Sequence, residues 1–432
     1  MRCMIISAVY PPEFTFSATT SQDLACGLAA LGDQVAVLAP YPNKPAGKLF
    51  AGYRRRLYTR SRAPEGFDLI HCFTTFAPES RMLSRLFENV TFGMASSLKL
   101  LFTQKPDVMY VNTWPIFAAS MTMVVARLRG IPVVLSVQDL YPESLAQQGR
   151  VSRRSFVYRV LHAIDSFVTR TAKKVVVVSD KFLAPHLEDR RLSIDAVDVI
   201  YNWGNPDAIQ IDSTASANYR ASLGVPNDAK IFLYGGNIGP ASGAETLLEG
   251  FGLLHDVEKA HLVIAGSGSR LEACREIASR LRLNRVHFHS PWHGSETSQV
   301  LGAANVLLLP TQGQQSIVSM PSKLITYLFS GRPVLASVLP DSETAIFIQR
   351  AGAGWIVSPD SAGELAGVIR RIVAEVSQEQ LHDMGERGKS FATANLSRAS
   401  NLPRLISKLQ EVALRRTPAT LVRTRSSSDS TY

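Results

Sequence analysis

Two doubly wound α/β domains facing a central cleft are predicted by three observations. The chain has 432 residues, short runs of Val, Ile and Leu recur along it, and helix-like stretches separate many of those runs. That length exceeds one ordinary core, since a domain typically takes roughly 100–200 residues. A continuous apolar run is a strand buried on both faces, which means a parallel sheet covered by helices. Strand and helix alternate twice over, once in each half.

In the front half the predicted strands are 3–10, 34–40, 68–73, 107–112, 132–139, 174–180 and 198–202. In the back half they are 230–236, 261–268, 286–291, 305–311, 333–338 and 354–359. The stretch 203–228 is polar and turn-rich, and marks the boundary. A last helical stretch runs from about Ser377 to Arg415, and the Ser/Thr-rich residues 415–432 read as a disordered tail. The expected division is 1–204, 205–385, a helix over 386–414 that crosses back to the first domain, and the tail.

Composition narrows the class. Hydrophobic residues make up 46% and charged residues 19%, a globular balance. Cys3, Cys26, Cys72 and Cys274 are scattered without metal or redox spacing, which predicts a reduced compartment. No segment reaches the roughly 18 unbroken apolar residues of a spanning helix. The opening MRCMIISAVYPP lacks a signal-peptide layout, so a soluble or surface-bound cytoplasmic protein is expected. The net charge is +10, and it is uneven: residues 1–200 hold 24 basic against 16 acidic residues, residues 201–414 hold 18 against 19. A basic front half suits an anionic membrane, a lipid phosphate or nucleic acid.

Ligands of such domains bind just after strands. After the strand at 305–311 comes a polar glycine loop with Gln314 and Ser316, then Pro-Ser-Lys opening a helix with Ser322, Lys323 and Thr326. Ser322 suits an N-cap, and the helix start with Lys323 suits a phosphate; a capped helix with a solvent lysine has the same pattern. The loop with Gly236, Asn237, Gly239 and Ser242 follows another strand, and its glycines allow close backbone approach to a ligand or simply a tight turn. Gly266, Ser267 and Gly268 follow the next strand and suit a nucleoside or a turn. In the front half Gln138, Asp139, Tyr141 and Glu143 follow a strand and suit sugar hydroxyls, and the opening loop with Phe14 and Ser17 lies where an acceptor could enter. Basic residues mixed with aromatic and aliphatic ones over 44–62 and 81–102 suit a membrane interface or a solvated loop beside a core helix. There is no Asp-x-Asp, GxxxxGK[ST], HExxH or GxSxG, so no metal or cofactor is expected.

The ordered runs VQDLYPES, IYNWGNPD, YGGNIGPASGAETLLEGF, AGSG, FHSPW and MPSKLITYLFSGRPVLAS resemble glycosyltransferase family 4, retaining enzymes of the GT-B fold, and within it the WbuB-like branch. The resemblance spans about residues 1–410. It implies a donor nucleotide sugar held mainly by the C-terminal domain and an acceptor, often a polyprenyl-diphosphate-linked saccharide of bacterial exopolysaccharide or O-antigen, held mainly by the N-terminal one. The strand-end loops themselves give Lys323, Gln138 and Asp139 as the candidate catalytic residues, although the family's His-Asp pair reads Gln138-Asp139 here. Donor contacts fall on Gly236, Asn237, Gly239, Ser242, Gly266, Ser267, Gly268, Gln314, Ser316, Ser322 and Thr326. Acceptor contacts fall on Phe14, Ser17, Tyr141 and Glu143. The sequence departs at Val318 and Thr326, where the wider family carries two glutamates. The expected partners are a nucleotide-diphosphate sugar, a lipid-linked saccharide and the inner face of the plasma membrane, with no nucleic acid. A nucleotide-sugar-binding scaffold and a nucleotide-sugar epimerase are the alternatives.

Overall fold

The structure is a computed structural model; it describes residues 1–13, 15–44, 47–76, 82–113, 115–147, 149–240, 242–311 and 322–414. The expected tail, Phe14, Gln314, Ser316 and Val318 lie outside them.

The N-terminal sheet is built from β1 (Arg2–Ile6), β2 (Gln34–Pro40), β3 (Tyr58–Arg62), β4 (Asp68–Cys72), β5 (Val108–Asn112), β6 (Val133–Val137), β7 (Lys174–Val177) and β8 (Val197–Val199). Its order is β3-β4-β2-β1-β5-β6-β7-β8. All pairings are parallel except β3 with β4. The central strands β1, β5 and β6 are buried almost throughout, as their unbroken apolar runs require. Helices α1 (Phe16–Ala30), α2 (Met82–Phe102), α3 (Ile116–Leu128), the short α4 (Glu143–Gln147) and α5 (Phe156–Thr171) complete this lobe.

β3 is a strand within the stretch 44–62, which was expected to be a membrane interface or a solvated loop. Its sequence YTRSR has no apolar run because it is an antiparallel edge strand, largely open to water. Arg60 and Arg62 both pair with Asp68 on β4, at 2.6 and 3.4 Å. Arg55 lies over the rings of Phe73 and Phe76. Lys44 pairs with Glu88 at 3.8 Å, so Lys44, Arg55, Arg60 and Arg62, four of the seven basic residues over 44–62, have partners within the fold.

The C-terminal lobe begins with α6 (Ser213–Ser222), a helix within the segment expected to be linker. Asp212 caps it, but only Ser216 and Tyr219 are buried, so it carries no apolar stripe. The second sheet has β9 (Lys230–Gly235), β10 (Ala260–Ala265), β11 (Val286–His289), β12 (Val306–Pro310), β13 (Val334–Ser337) and β14 (Gly354–Val357), ordered β11-β10-β9-β12-β13-β14 and wholly parallel. Around it lie α7 (Ala244–Gly252), α8 (Leu271–Arg280), α9 (Thr297–Ala303), α10 (Ser322–Phe329), α11 (Glu343–Ala351), α12 (Ala362–Glu375) and α13 (Gln378–Asn395).

The final helix, α14 (Arg398–Leu414), packs on α1 and the N-terminal sheet, burying Leu402, Leu405, Ile406, Leu409 and Val412 with Leu24 and Leu28. The crossing element is therefore α14 alone. Residues 386–395 continue α13, which packs on α10 and α11, because the helix breaks at Leu396–Ser397. At that break the two crossings of the chain meet. Gly204 N–H donates to Leu396 O, Arg398 N–H donates to Gly204 O, and Trp203 Nε1–H donates to Asp23 on α1.

Candidate functional site

Each sheet reverses its strand order once, between β1 and β5 and between β9 and β12. In open parallel sheets a ligand binds at such a reversal, outside the carboxyl ends of the strands. The predicted site loops follow those ends.

On the C-terminal side, the glycine turn after β9 and the start of α10 are joined by two tyrosines. Tyr327, fully buried on α10, accepts from Gly235 N–H at 2.9 Å and donates to Gly235 O at 3.0 Å. Tyr234, fully buried on β9, donates to Asn237 O at 2.7 Å and accepts a bond from Lys323 Nζ. Lys323 Nζ also stands 4.0 Å from the centre of the Tyr234 ring. Lys323 is partly buried and, among the described residues, pairs with no carboxylate; burial alone brings its ammonium down to about 8. A side chain at Gly236, whose φ is +134°, would run into Lys323 Cε.

The second glycine loop packs beneath the first. Gly236 N–H donates to Ala265 O at 2.8 Å and Ile238 N–H to Ser267 O at 2.9 Å. Cβ atoms on Gly266 and Gly268 would collide with the carbonyls of Gly236 and Ile238. Close backbone packing thus accounts for both glycines. Of the amides over 236–239, those of Gly236 and Ile238 are engaged, while the N–H groups of Asn237 and Gly239 have no backbone acceptor among the described residues. Ser242 is corrected. It is buried, its hydroxyl accepts from Ala244 N–H and meets Tyr234, and so it braces the turn from inside. Asn237 and Ser267 are exposed, and Thr326 is half-buried three residues beyond Lys323. Ser322 is the first residue of α10.

On the N-terminal side, Ser7, Ser21 and Asn112 form a buried hydrogen-bonded knot at the β1–β5 reversal. Ser17 is half-buried near the start of α1, whose cap is Thr15. Asp139 stays open to water, yet the protein crowded around it displaces enough solvent to raise its carboxyl to about 6. Gln138 does not stand free: its amide donates to Ser136 at 3.0 Å and accepts from Asn202 at 2.9 Å. It ties β6 to the crossing segment.

Glu143 is likewise corrected. It is buried and bonded at 3.0 Å to Arg190, a fully buried guanidinium that also bonds Asp165 on α5, Tyr141 O and Pro185 O. Burial pushes the Glu143 carboxyl up, but Arg190 pulls it below the ordinary range. Asp165 lies deeper, so burial outweighs the same guanidinium and raises its carboxyl to about 6. This cluster holds the loop that carries Asp139 and half-buried Tyr141.

Two family profiles match the chain: the Glycosyl transferase 4-like domain over residues 17–203 and Glycosyl transferases group 1 over residues 215–391. WbjE of Pseudomonas aeruginosa, named as a glycosyltransferase, is 24% identical over 325 residues, covering 74% of this chain and 78% of its own. WcaI of Escherichia coli K12, named as a colanic acid biosynthesis glycosyl transferase, is 23% identical over 380 residues, covering 86% and 92%. Among solved structures, sucrose-phosphate synthase from Thermosynechococcus elongatus matches with a TM-score of 0.71 at 18% identity, over 96% of this chain and 99% of that one. HepE from Anabaena, in complex with UDP-glucose, matches at 0.66 and 13% identity, over 95% and 100%. At such identities these two structures support the fold.

Proposed function

The chain belongs to glycosyltransferase family 4, with the GT-B fold, and from that premise we propose that it moves a sugar from a nucleotide diphosphate to a polyprenyl-diphosphate-linked saccharide. One observation carries the proposal. Lys323, at the start of α10, lies over a glycine turn at the strand-order reversal of the C-terminal sheet. A diphosphate placed there meets the lysine, the amides of Asn237 and Gly239, and the positive end of the helix. Donor-bound HepE supports a nucleotide sugar, and the name of WcaI supports a role in exopolysaccharide or O-antigen synthesis. The runs Gly-Asn-Ile-Gly and Pro-Ser-Lys favour the WbuB-like branch.

The proposed transfer is retaining and metal-independent. As the glycosidic bond breaks, charge gathers on the leaving diphosphate, where fixed donors stabilise it more than they stabilise the ground state. The acceptor hydroxyl enters on the same face and passes its proton to a departing phosphate oxygen. Asp139 positions that hydroxyl. Residues 1–204 hold the acceptor and 205–385 the donor.

No described helix is long and apolar enough to cross a membrane. The proposed membrane contact is the outer face of α5 with that of α2. Phe156, Val157 and Val160 are exposed beside Arg153, Arg154 and Arg159, which pair with no carboxylate among the described residues. Phe87 and Met94 are exposed on α2. In a parallel sheet the covering helices start at the carboxyl edge, so the starts of both helices flank the cleft and would bring a lipid-borne acceptor to it.

A scaffold without activity is the second reading, favoured by neutral Thr326 standing near Lys323 on α10 where the wider family has a glutamate. Thermal-shift screening against UDP-, GDP- and TDP-sugars tests donor binding, since a ligand of the native state raises the melting temperature. With a matched donor and acceptor, Lys323→Ala is expected to lower turnover at least about tenfold, as loss of one fixed donor at a developing charge typically does. Wild-type turnover in that variant removes Lys323 from the mechanism. Donor binding without transfer or donor hydrolysis favours the scaffold.

A further inference from the structure

The geometry points to Tyr234 as a positioning residue: it seats Lys323 over the glycine turn, and donor binding proceeds by handing the ammonium from Tyr234 to the diphosphate. This rests on the proposed diphosphate site, and adds a residue and an order of events to it.

Tyr234 looks like an ordinary core residue of β9, fully buried among Phe232, Ile238, Leu247 and Leu248. Its hydroxyl, however, is polarised in one direction. It donates to Asn237 O at 2.7 Å, and its lone pairs face the Ser242 hydroxyl and Lys323 Nζ, which donates to it. The ring itself lies 4.0 Å below the same ammonium, within cation–π range. Both contacts are made by one side chain to one cation, and no carboxylate competes among the described residues. The titratable groups behind the tyrosine are Cys274 and Glu245, and Glu245 is itself paired with Arg270 at 2.7 Å.

The seat is also linked to the candidate ligand amides. Asn237 O, which takes the tyrosine proton, belongs to the residue whose N–H has no backbone partner among the described residues. Gly236 leaves the space through which the lysine stem passes, since a Cβ there would run into Cε. Tyr327 fixes α10 to Gly235, four residues beyond Lys323 on the same helix, so the seat does not drift from the turn. A lysine held this way is pre-aimed but only partly charged above pH 8, because burial lowers its ammonium to about 8. A diphosphate beside it restores the charge, so binding at pH 8.5 takes up a proton.

The probe is the nucleoside diphosphate, UDP, GDP or TDP, that most raises the melting temperature of the full chain. Its binding is measured by titration calorimetry at pH 8.5 in two buffers of different ionisation enthalpy. Wild type is expected to take up protons on binding. Tyr234→Phe keeps the ring but removes the bond that the ligand must break, so affinity is expected to rise about twofold to tenfold, the range of one modest hydrogen bond. Proton uptake persists in that variant and disappears in Lys323→Ala. Unchanged or weaker binding by folded Tyr234→Phe overturns the seat. If that variant does not fold, wild type decides: no proton uptake at pH 8.5 overturns the hand-over. Failure of all three nucleotides to bind sinks the diphosphate site and this inference together. Loss of binding in Lys323→Ala with unaltered Tyr234→Phe affinity sinks only the inference.

Discussion

Replacing Arg190 by methionine should destabilise the N-terminal lobe severely, and more at pH 8 than at pH 5. The guanidinium is fully buried and serves two buried carboxylates and two carbonyls. Removing one member of such a group leaves buried charge uncompensated, at a cost of about 3–5 kcal/mol. For a lobe of this size each kcal/mol moves the midpoint by about 2–4 °C, so a drop of roughly 6–20 °C is expected. The pH dependence follows from the carboxylates. Asp165 has its folded pKa raised to about 6, so its contribution is fully present below its unfolded value near 3.8 and lost as pH rises through 6. Without Arg190 that pKa rises further, and the variant is penalised most where Asp165 must ionise. Glu143 has its folded pKa lowered, so it stabilises wild type above its unfolded value near 4.5, and the variant loses this as well. Thermal unfolding of both proteins at pH 5 and pH 8 is the assay. Replacing Arg190, Glu143 and Asp165 together by Met, Leu and Leu should recover most of the loss, because no buried charge remains. A melting temperature within about 2 °C of wild type for Arg190→Met at both pH values refutes the reasoning.

Gly266→Ala should destabilise the C-terminal lobe by at least about 2 kcal/mol, since φ is +140° and the added Cβ meets the carbonyl of Gly236; denaturant unfolding and loss of donor-induced thermal shift check this. Paired Phe156→Glu and Val160→Glu should lower binding to anionic vesicles at least about tenfold while leaving the melting temperature unchanged, because both side chains already face outward. Equal vesicle binding moves the membrane contact elsewhere.

The strands were legible because a strand buried on both faces must be apolar without interruption, and runs such as VVLSV at 133–137 are that signal. β3 was not, since an exposed antiparallel edge imposes no such run on YTRSR. The glycine loops were legible by composition and place, whereas the reasons for individual glycines were not. Gly266 and Gly268 answer to backbone atoms some thirty residues earlier, at Gly236 and Ile238. Arg190 sits in LEDRR, which reads as a solvated charged turn; only folding brings Asp165 and Glu143 around it. Tyr234 shows the converse, an aromatic in an apolar run whose hydroxyl acquires a role only when α10 arrives.

The meeting of Gly204 with Leu396–Arg398 bears on how the enzyme can breathe. Two tethers placed far apart would oppose twisting and let the halves slide. Here both strands of the tether run through a single pin, and a Cβ on Gly204 would press on Ile325 and Phe329 of α10. Any opening or shutting then pivots beside α10, the helix that carries Lys323, so a change in the angle between the halves is felt at that helix.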